Sequence, residues 1–298
     1  MDQQSFVQAS TAFESGLSFD QIASFAKRRA PWIAGLTAVG IVAGIGVALL
    51  IPDEWQATDV LQVGQVTRTL VTNGSTSVIV QPLEPAARTV DRMSLRQFQD
   101  SVLQSLGLPL DRTRSRETAL VRDYAQPALQ RDGDLVSITA RGTTPEQAKR
   151  IVSAYEKLLI DAHLELLLPS VNRMTAELRQ AKSALADAQK REVQLNAQST
   201  NMLKGQEGHF SADVLRDNLL QRNEEELNRF ALRIEELQED LSAARTFNTR
   251  PLMQGIEVGD KPVFPRKGTA AALGALIGFV LSICVGLLRD HRDQKATR

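Results

Sequence analysis

The chain has 298 residues with 35 basic and 35 acidic side chains, so its formal net charge is zero. That balance argues against nucleic-acid binding, which needs an excess of Lys and Arg to displace counterions, and the length suits one or two domains. Cys284 is the single cysteine; no intramolecular disulfide can staple the fold, and the redox compartment stays open on that count.

The apolar residues are not spread evenly. Two uncharged runs, Trp32–Ile51 and Thr269–Leu288, hold many of them, while the middle of the chain is charged and rich in Gln, Arg, Glu and Leu. About 20 helical residues rise roughly 30 Å, the thickness of a bilayer's hydrocarbon core, so each run is expected to span a membrane. The first is not expected to be a cleaved signal: about 30 residues precede it and Pro52-Asp-Glu-Trp follows it, without a small-residue cleavage site. Lys27, Arg28 and Arg29 before the first run, and Arg289, Arg292, Lys295 and Arg298 after the second, place both termini in the cytoplasm by the positive-inside rule. Arg266 and Lys267 on the outer side of the second run oppose this weakly, but two spans leave both ends on one side. Gly40 with Gly44, and Gly274 with Gly278, give each run a small-xxx-small face that lets helix backbones approach closely. Gly and Ala are also ordinary in membrane helices, so this spacing is open to a reading without a specific contact.

After the first run, Ala57–Val66 reads as a strand, and Ser77–Gln81 as another. Ser94–Leu106 suits a helix, with Leu95, Phe98, Val102 and Leu106 recurring at steps of three and four and Gly107 as its stop. Asp134–Ala140 is a strand with Val136, Ile138 and Ala140 on one face. Thr144-Pro145-Glu146-Gln147 resembles a capping box with Pro at the first helical position, and Ala148, Ile151, Val152, Tyr155, Leu158, Leu159 and Ala162 then form an amphipathic stripe.

Pro169 is expected to kink or break that helix, because it removes a donor and clashes with the preceding turn; the apolar phase slips there. A heptad follows, with Val171, Leu178 and Leu185 at one position and Met174, Ala181, Ala188, Leu195 and Met202 at the other. Gly205 and Gly208 interrupt it. A second heptad runs through Leu220, Leu227, Ile234 and Leu241, with Phe230, Leu237 and Ala244. Two helices of about 34 residues, or roughly 50 Å each, are expected to form an antiparallel hairpin, with a parallel coiled-coil dimer as the alternative. Glu224, Glu225, Glu226, Glu235, Glu236 and Glu239 fall on its solvated or inter-subunit face.

No catalytic set is legible. His163, His209 and His291 are scattered; His163 lies between Asp161 and Glu165, but on a helix it points away from the face those carboxylates share, so no metal site is expected there. Neither a phosphate loop nor a dinucleotide fingerprint occurs, no cofactor is expected, and the ten-residue tail after Leu288 is too short for a signalling domain. The expected fold class is an α+β membrane protein: two transmembrane helices flank a periplasmic α/β base with a long heptad-patterned helical hairpin. Its segments are a cytoplasmic 1–30, a span at 31–52, the base at 53–144, the helical region at 145–246, a Pro-rich return at 247–266, a second span at 267–288 and a cytoplasmic tail at 289–298.

Several of these segments together resemble the polysaccharide co-polymerases, the chain-length determinants of bacterial O-antigen and related polysaccharides. The resemblance covers nearly the whole chain. It is carried by Val136-Ser-Ile-Thr-Ala140 followed by Thr144-Pro-Glu-Gln-Ala148, and by Pro262-Val-Phe-Pro265-Arg-Lys-Gly268 entering the second span. The chain departs from the family in lacking further prolines within that span and in carrying Pro169 where members have one continuous helix. The resemblance implies a non-enzymatic, ring-like homo-oligomer in the inner membrane that limits how far a separate membrane-embedded polymerase extends a lipid-linked glycan. Pro262 and Pro265 would stiffen the entry into the membrane, with Gly268, Gly274, Gly278, Gly40 and Gly44 serving coupling and helix packing; a plain linker is the other reading of the prolines. An alternative function is activation of a separate cytoplasmic tyrosine autokinase in capsule or exopolysaccharide export, through Phe6, Phe13, Leu17, Phe19, Ile22 and Phe25. A two-span sensor or a transport adaptor fits less well.

Overall fold

The computed structural model describes residues 19–72, 75–131, 133–202, 210–252 and 255–296. It divides into two compact units, Met1–Trp55 with Asp260–Arg298, and Gln56–Gly259.

The first unit is a helix pair, α1 (Phe19–Leu50) and α7 (Lys267–Ala296). Within them Ala30–Leu50 and Lys267–Gly286 are long and apolar enough to cross a membrane, and only 6% and 11% of these stretches is buried in the protein. A core helix of a soluble protein would bury most of its apolar surface. Here Val42, Leu50, Leu273 and Leu276 point outward instead. Both helices extend past the apolar runs, α1 upstream through Pro31 and α7 downstream to Ala296.

The second unit begins with β1 (Trp55–Gln62), β2 (Gln65–Thr72) and β3 (Ser75–Pro82), then three short helices, α2 (Ala86–Ser94), α3 (Arg96–Ser105) and α4 (Arg116–Tyr124). Strands β4 (Gln126–Leu129) and β5 (Leu135–Gly142) lead into α5 (Pro145–Met202) and α6 (Phe210–Asp240), and the chain returns through β6 (Arg250–Pro251) and β7 (Glu257–Val258). The main sheet has the order β4-β5-β1-β6, with β7 also beside β1. β4 and β5 pair antiparallel from Gln126 opposite Thr139 to Leu129 opposite Val136. β6 and β7 occupy successive stretches of β1, at Leu61–Gln62 and Ala57–Thr58.

The Asp134–Ala140 stretch forms β5 with Val136, Ile138 and Ala140 fully buried, but Ser137 on the opposite face is buried too, its hydroxyl donating to the Ala128 carbonyl at 3.3 Å. Layers on both sides of β5, α4 among them, cover it, so one-face alternation describes it only in part. Against it α5 lays Ala148, Ile151, Val152, Tyr155 and Leu159, all 1% exposed or less. The start of α5 is capped by Thr144, whose hydroxyl accepts from the Gln147 N–H at 3.1 Å, but the Gln147 side chain reaches back one residue further than a capping box requires, accepting from the Thr143 N–H at 2.7 Å.

Two local readings change. Ala57–Val66 is two strands, because the chain breaks at Val63-Gly64: a Cβ on Gly64 would lie 2.6 Å from the Thr249 nitrogen and 2.7 Å from the Phe247 carbonyl oxygen, space only glycine leaves. Ser94–Leu106 is the end of α2 and all of α3, divided at Leu95, whose ψ of 139° is extended. Gly107 does end α3, with φ at 69°.

The largest correction concerns Pro169. α5 runs unbroken for 58 residues, about 87 Å at 1.5 Å per residue, while α6 has 31, so the two are not a matched pair. Pro169 and Glu165, whose carbonyl loses its donor, are both exposed, so solvent can satisfy that carbonyl. On the opposite side the stripe continues without a slip: Tyr155, Leu159, His163, Leu167, Met174, Ala181 and Ala188 are all buried. Leu167 and Met174 pack with Val66 and Leu237 in one cluster on either side of the proline.

α5 and α6 pack antiparallel, with Arg233 paired to Glu177 at 2.8 Å near one end and Arg191 to Glu226 farther along. Asn223 occupies a heptad position in the α6 stripe, buried, donating to the Ala188 carbonyl at 3.1 Å and accepting from Arg191 at 3.4 Å. A polar residue at such a position favours one register. The glutamates are divided: Glu226, Glu236 and Glu239 hold arginines, while Glu224, Glu225 and Glu235 are exposed. Gly205, Gly208 and His209 lie outside the described residues.

Since Pro169 breaks one helical hydrogen bond without serving as a hinge, Pro169→Ala should stabilise the protein by about 1–3 kcal/mol. Thermal unfolding checks this; a lowered midpoint would mean that the proline fits a conformation alanine cannot.

Candidate functional site

The four glycines read as packing faces meet each other. A Cβ on Gly40 would strike the Gly274 carbonyl oxygen, one on Gly44 the Ala270 carbonyl oxygen, and one on Gly278 would lie 2.6 Å from the Leu36 carbonyl oxygen and 3.1 Å from the Thr37 Cα. Contacts at Gly40–Gly274/Gly278 and Gly44–Ala270/Gly274 run in opposite directions along the chain, so α1 and α7 are antiparallel. In lipid there is no hydrophobic gain from apposing two apolar helices; close backbone contact supplies the attraction instead, and these glycines permit it. Gly35 and Gly46 have nothing within 4 Å of a notional Cβ and are not part of this seam.

Gly268 does not join the seam either: open space surrounds it. The two prolines sit just before α7 in a segment clipped to the end of α1. The Glu54 N–H donates to the Phe264 carbonyl at 2.7 Å, and the Val263 N–H donates to the Glu54 carbonyl at 2.8 Å. Pro265 is buried behind a cis Phe264–Pro265 bond. The segment bends repeatedly around a single antiparallel bridge between Glu54 and Phe264.

The second unit contains a polar joint that the sequence reading missed. The Asp240 carboxylate at the end of α6 is 2% exposed and accepts from the Thr69 N–H at 2.7 Å, the Thr69 hydroxyl at 2.8 Å and Arg245 at 3.3 Å. Farther along β2 the Thr67 N–H donates to the Thr246 hydroxyl at 3.1 Å, and the Thr67 hydroxyl to the Arg245 carbonyl at 2.7 Å. Gln65 exchanges both backbone bonds with Phe247, at 3.0 and 3.1 Å. β2 is thus bonded to β3 on one edge and to the end of α6 and the following turn on the other.

Next to it lies His163. Far from being an idle surface histidine, it is fully buried, with Nδ1 bonded to the Thr249 hydroxyl and Nε2 at 3.4 Å from Glu84. Thr249 also accepts from the Gly64 N–H at 3.0 Å, and Arg92 donates to Glu84 at 2.8 and 3.1 Å. A neutral imidazole completes this chain: Nε2–H faces the carboxylate and Nδ1 accepts from Thr249. Burial pulls the imidazole below its ordinary value of 6.5, against the opposing pull of Glu84. Burial pushes the Glu84 carboxyl up, but hydrogen bonds and charge from Arg92 and His163 outweigh it and hold that group below the usual 4.5. Among the described residues no cluster of potential metal ligands forms. The signal for His163 was its place in the stripe, four residues after Leu159 and four before Leu167.

No protein-family model and no curated protein matches the chain. Among solved structures it is similar to a full-length bacterial polysaccharide co-polymerase, at 13% identity and a TM-score of 0.38, over 93% of this chain and 99% of that one. It is also similar to a point mutant of the Shigella flexneri lipopolysaccharide O-antigen chain-length regulator WzzBSF, at 9% identity and TM-score 0.21 over 71% and 99% of the two chains. The periplasmic domain of a chimeric O-antigen chain-length regulator gives 12%, 0.18, 71% and 98%.

Gly274→Leu should cost about 1–3 kcal/mol by overpacking the seam, seen as a lower unfolding midpoint in detergent, whereas Gly46→Leu should leave it unchanged; equal effects would show that the seam is not special. Because the unfolded imidazole takes up a proton that the folded one resists, His163 should lower stability as pH falls below about 6.5. Glu84 adds to the loss only further down, once pH drops through its own depressed range. The melting temperature should therefore decline as pH falls below about 6.5, and the decline should flatten in His163→Gln.

Proposed function

We propose that this chain is a non-enzymatic regulator of polysaccharide chain length. It would form a homo-oligomer in the bacterial inner membrane, with both termini cytoplasmic and residues 53–266 periplasmic, and would modulate a separate membrane-embedded polymerase acting on lipid-linked glycan. The observation that carries this reading is where the two motifs of the family resemblance fall. Val136–Ala140 is the buried heart of β5 and runs straight into the capped start of α5 at Thr144–Ala148. Pro262–Pro265 forms the lead into α7, clipped to Glu54. The uninterrupted α5 removes the departure from the family that Pro169 implied, since one continuous long helix is the pattern of its members.

Two outward-facing apolar helices support residence in a bilayer, with spans at 31–52 and 267–288. Pro262, Pro265 and Gly268, beside the glycine seam, would couple the span to the exported region. Phe6, Phe13 and Leu17 of the kinase-activator alternative lie outside the described residues, and no observation favours that reading.

The test is a deletion strain. Surface polysaccharide resolved on a gel should change its length distribution while incorporation of labelled sugar continues, and restoring the gene should restore the ladder. An unchanged ladder would sink the proposal, and abolished sugar incorporation would point to an enzyme. Protease added to spheroplasts should digest the 53–266 region and spare the ends.

A further inference from the structure

Three guanidinium groups of the second unit converge on one concavity of about 590 Å³, between the start of α3, the loop that follows it and α4: Arg96, Arg112 and Arg122. They are not equivalent. Arg122 is the fixed floor: its side chain is 11% exposed, paired with Asp100, and it donates to Gln99 at 3.2 Å and to the carbonyls of Arg96 and Leu110 at 3.4 and 3.5 Å. Arg112 meets Asp123 at 2.6 Å, but its side chain is 64% exposed, and an exposed pair of this kind exchanges readily with solvent or another anion. Arg96 is exposed and its guanidinium has no hydrogen-bond or ion-pair partner among the described residues. The nearby Asp111 carboxylate is engaged elsewhere, accepting from the Thr113 N–H and hydroxyl at 3.0 and 2.9 Å and lying 3.7 Å from Arg114, and it makes no ion pair with Arg96.

The cavity therefore offers one unpartnered and one weakly paired arginine above a rigid third. Planar guanidinium groups match carboxylate and phosphate oxygens with paired hydrogen bonds. A lone inorganic anion would leave most of the space empty, since volumes of this order hold small organic molecules. Ser94, Gln99 and Asp123 add hydroxyl, amide and carboxylate groups around the rim, the partners that ring hydroxyls need. We infer that this concavity binds a saccharide carrying an oxyanion, either the carboxylate of a uronic acid or a phosphate ester, with Arg96 and Arg112 gripping the anion. The saccharide part rests on the polysaccharide reading above; the oxyanion part stands on the arginines alone.

The experiment is calorimetric titration of the full chain in detergent with glucuronate, glucose 6-phosphate, glucose and inorganic phosphate. At least one charged sugar should bind about tenfold or more tighter than glucose, weaken as salt rises, and lose about tenfold in Arg96→Gln and more in Arg96→Gln with Arg112→Gln. Both side chains are exposed, so the variants should keep the parent melting temperature, and a variant that melts early is replaced by Arg96→Lys, which should bind more weakly than the parent. Glucose binding as tightly as the charged sugars, neither charged sugar binding, or Arg96→Gln binding like the parent would each overturn the inference. Inorganic phosphate matching glucose 6-phosphate would overturn its saccharide part. A deletion strain with unaltered glycan lengths alongside intact binding of charged sugars would refute the chain-length reading and leave this site standing; the reverse pattern would refute the site alone.

Discussion

A buried carboxylate needs partners, and in the second unit Asp240 finds them on a strand far away in sequence, Thr69 lying 171 residues earlier. Removing such a charge from water is costly unless hydrogen bonds replace its hydration; Thr69 supplies two donors and Arg245 a third. The bond sets where the long hairpin ends, because α6 stops at Asp240 and the following turn is laid along β2. A two-stranded ribbon such as β2–β3 is marginal alone. Here its second edge is taken up by Thr246 and Phe247, and the apolar cluster of Val66, Leu167, Met174 and Leu237 closes over the joint.

The His163 chain does the same job from the other helix. It links α5 to Glu84 just after β3, and through Thr249 to the glycine at the β1–β2 break. The helical hairpin is thus held at its base through both arms, by polar groups that satisfy one another in a neutral-histidine arrangement. Along its length it packs small and apolar residues, with Asn223 and the Arg233–Glu177 and Arg191–Glu226 pairs as polar contacts between its arms.

The helix pair follows different physics. Its attraction comes from backbone approach at Gly40, Gly44, Gly274 and Gly278, and its outward faces are left apolar. The clip between Glu54 and the Pro262–Pro265 segment ties the end of one apolar helix to the beginning of the other, so the pair and its lead-in segment form one unit. Gly268 stands apart from the seam, with nothing within 4 Å of a notional Cβ.

The sequence by itself determined much that depends on local periodicity: two apolar helices, the buried core of β5, the Gly107 stop and most of the hairpin's inward faces, though not the break at Leu95 or the unbroken phase through Pro169. Each is a short-range pattern that a helix or strand imposes on its own residues. What tertiary structure alone decided turns on partners at long sequence separation. Pro169 stays helical because Leu167 and Met174 are clamped from across the fold, Gly64 must be glycine because residues 247 and 249 press against it, and His163 and Asp240 are buried because Glu84, Thr249 and Thr69 receive them. A local pattern reports which face is apolar; it does not report what meets that face, and a buried polar group or a helix-interior proline is settled by what it meets.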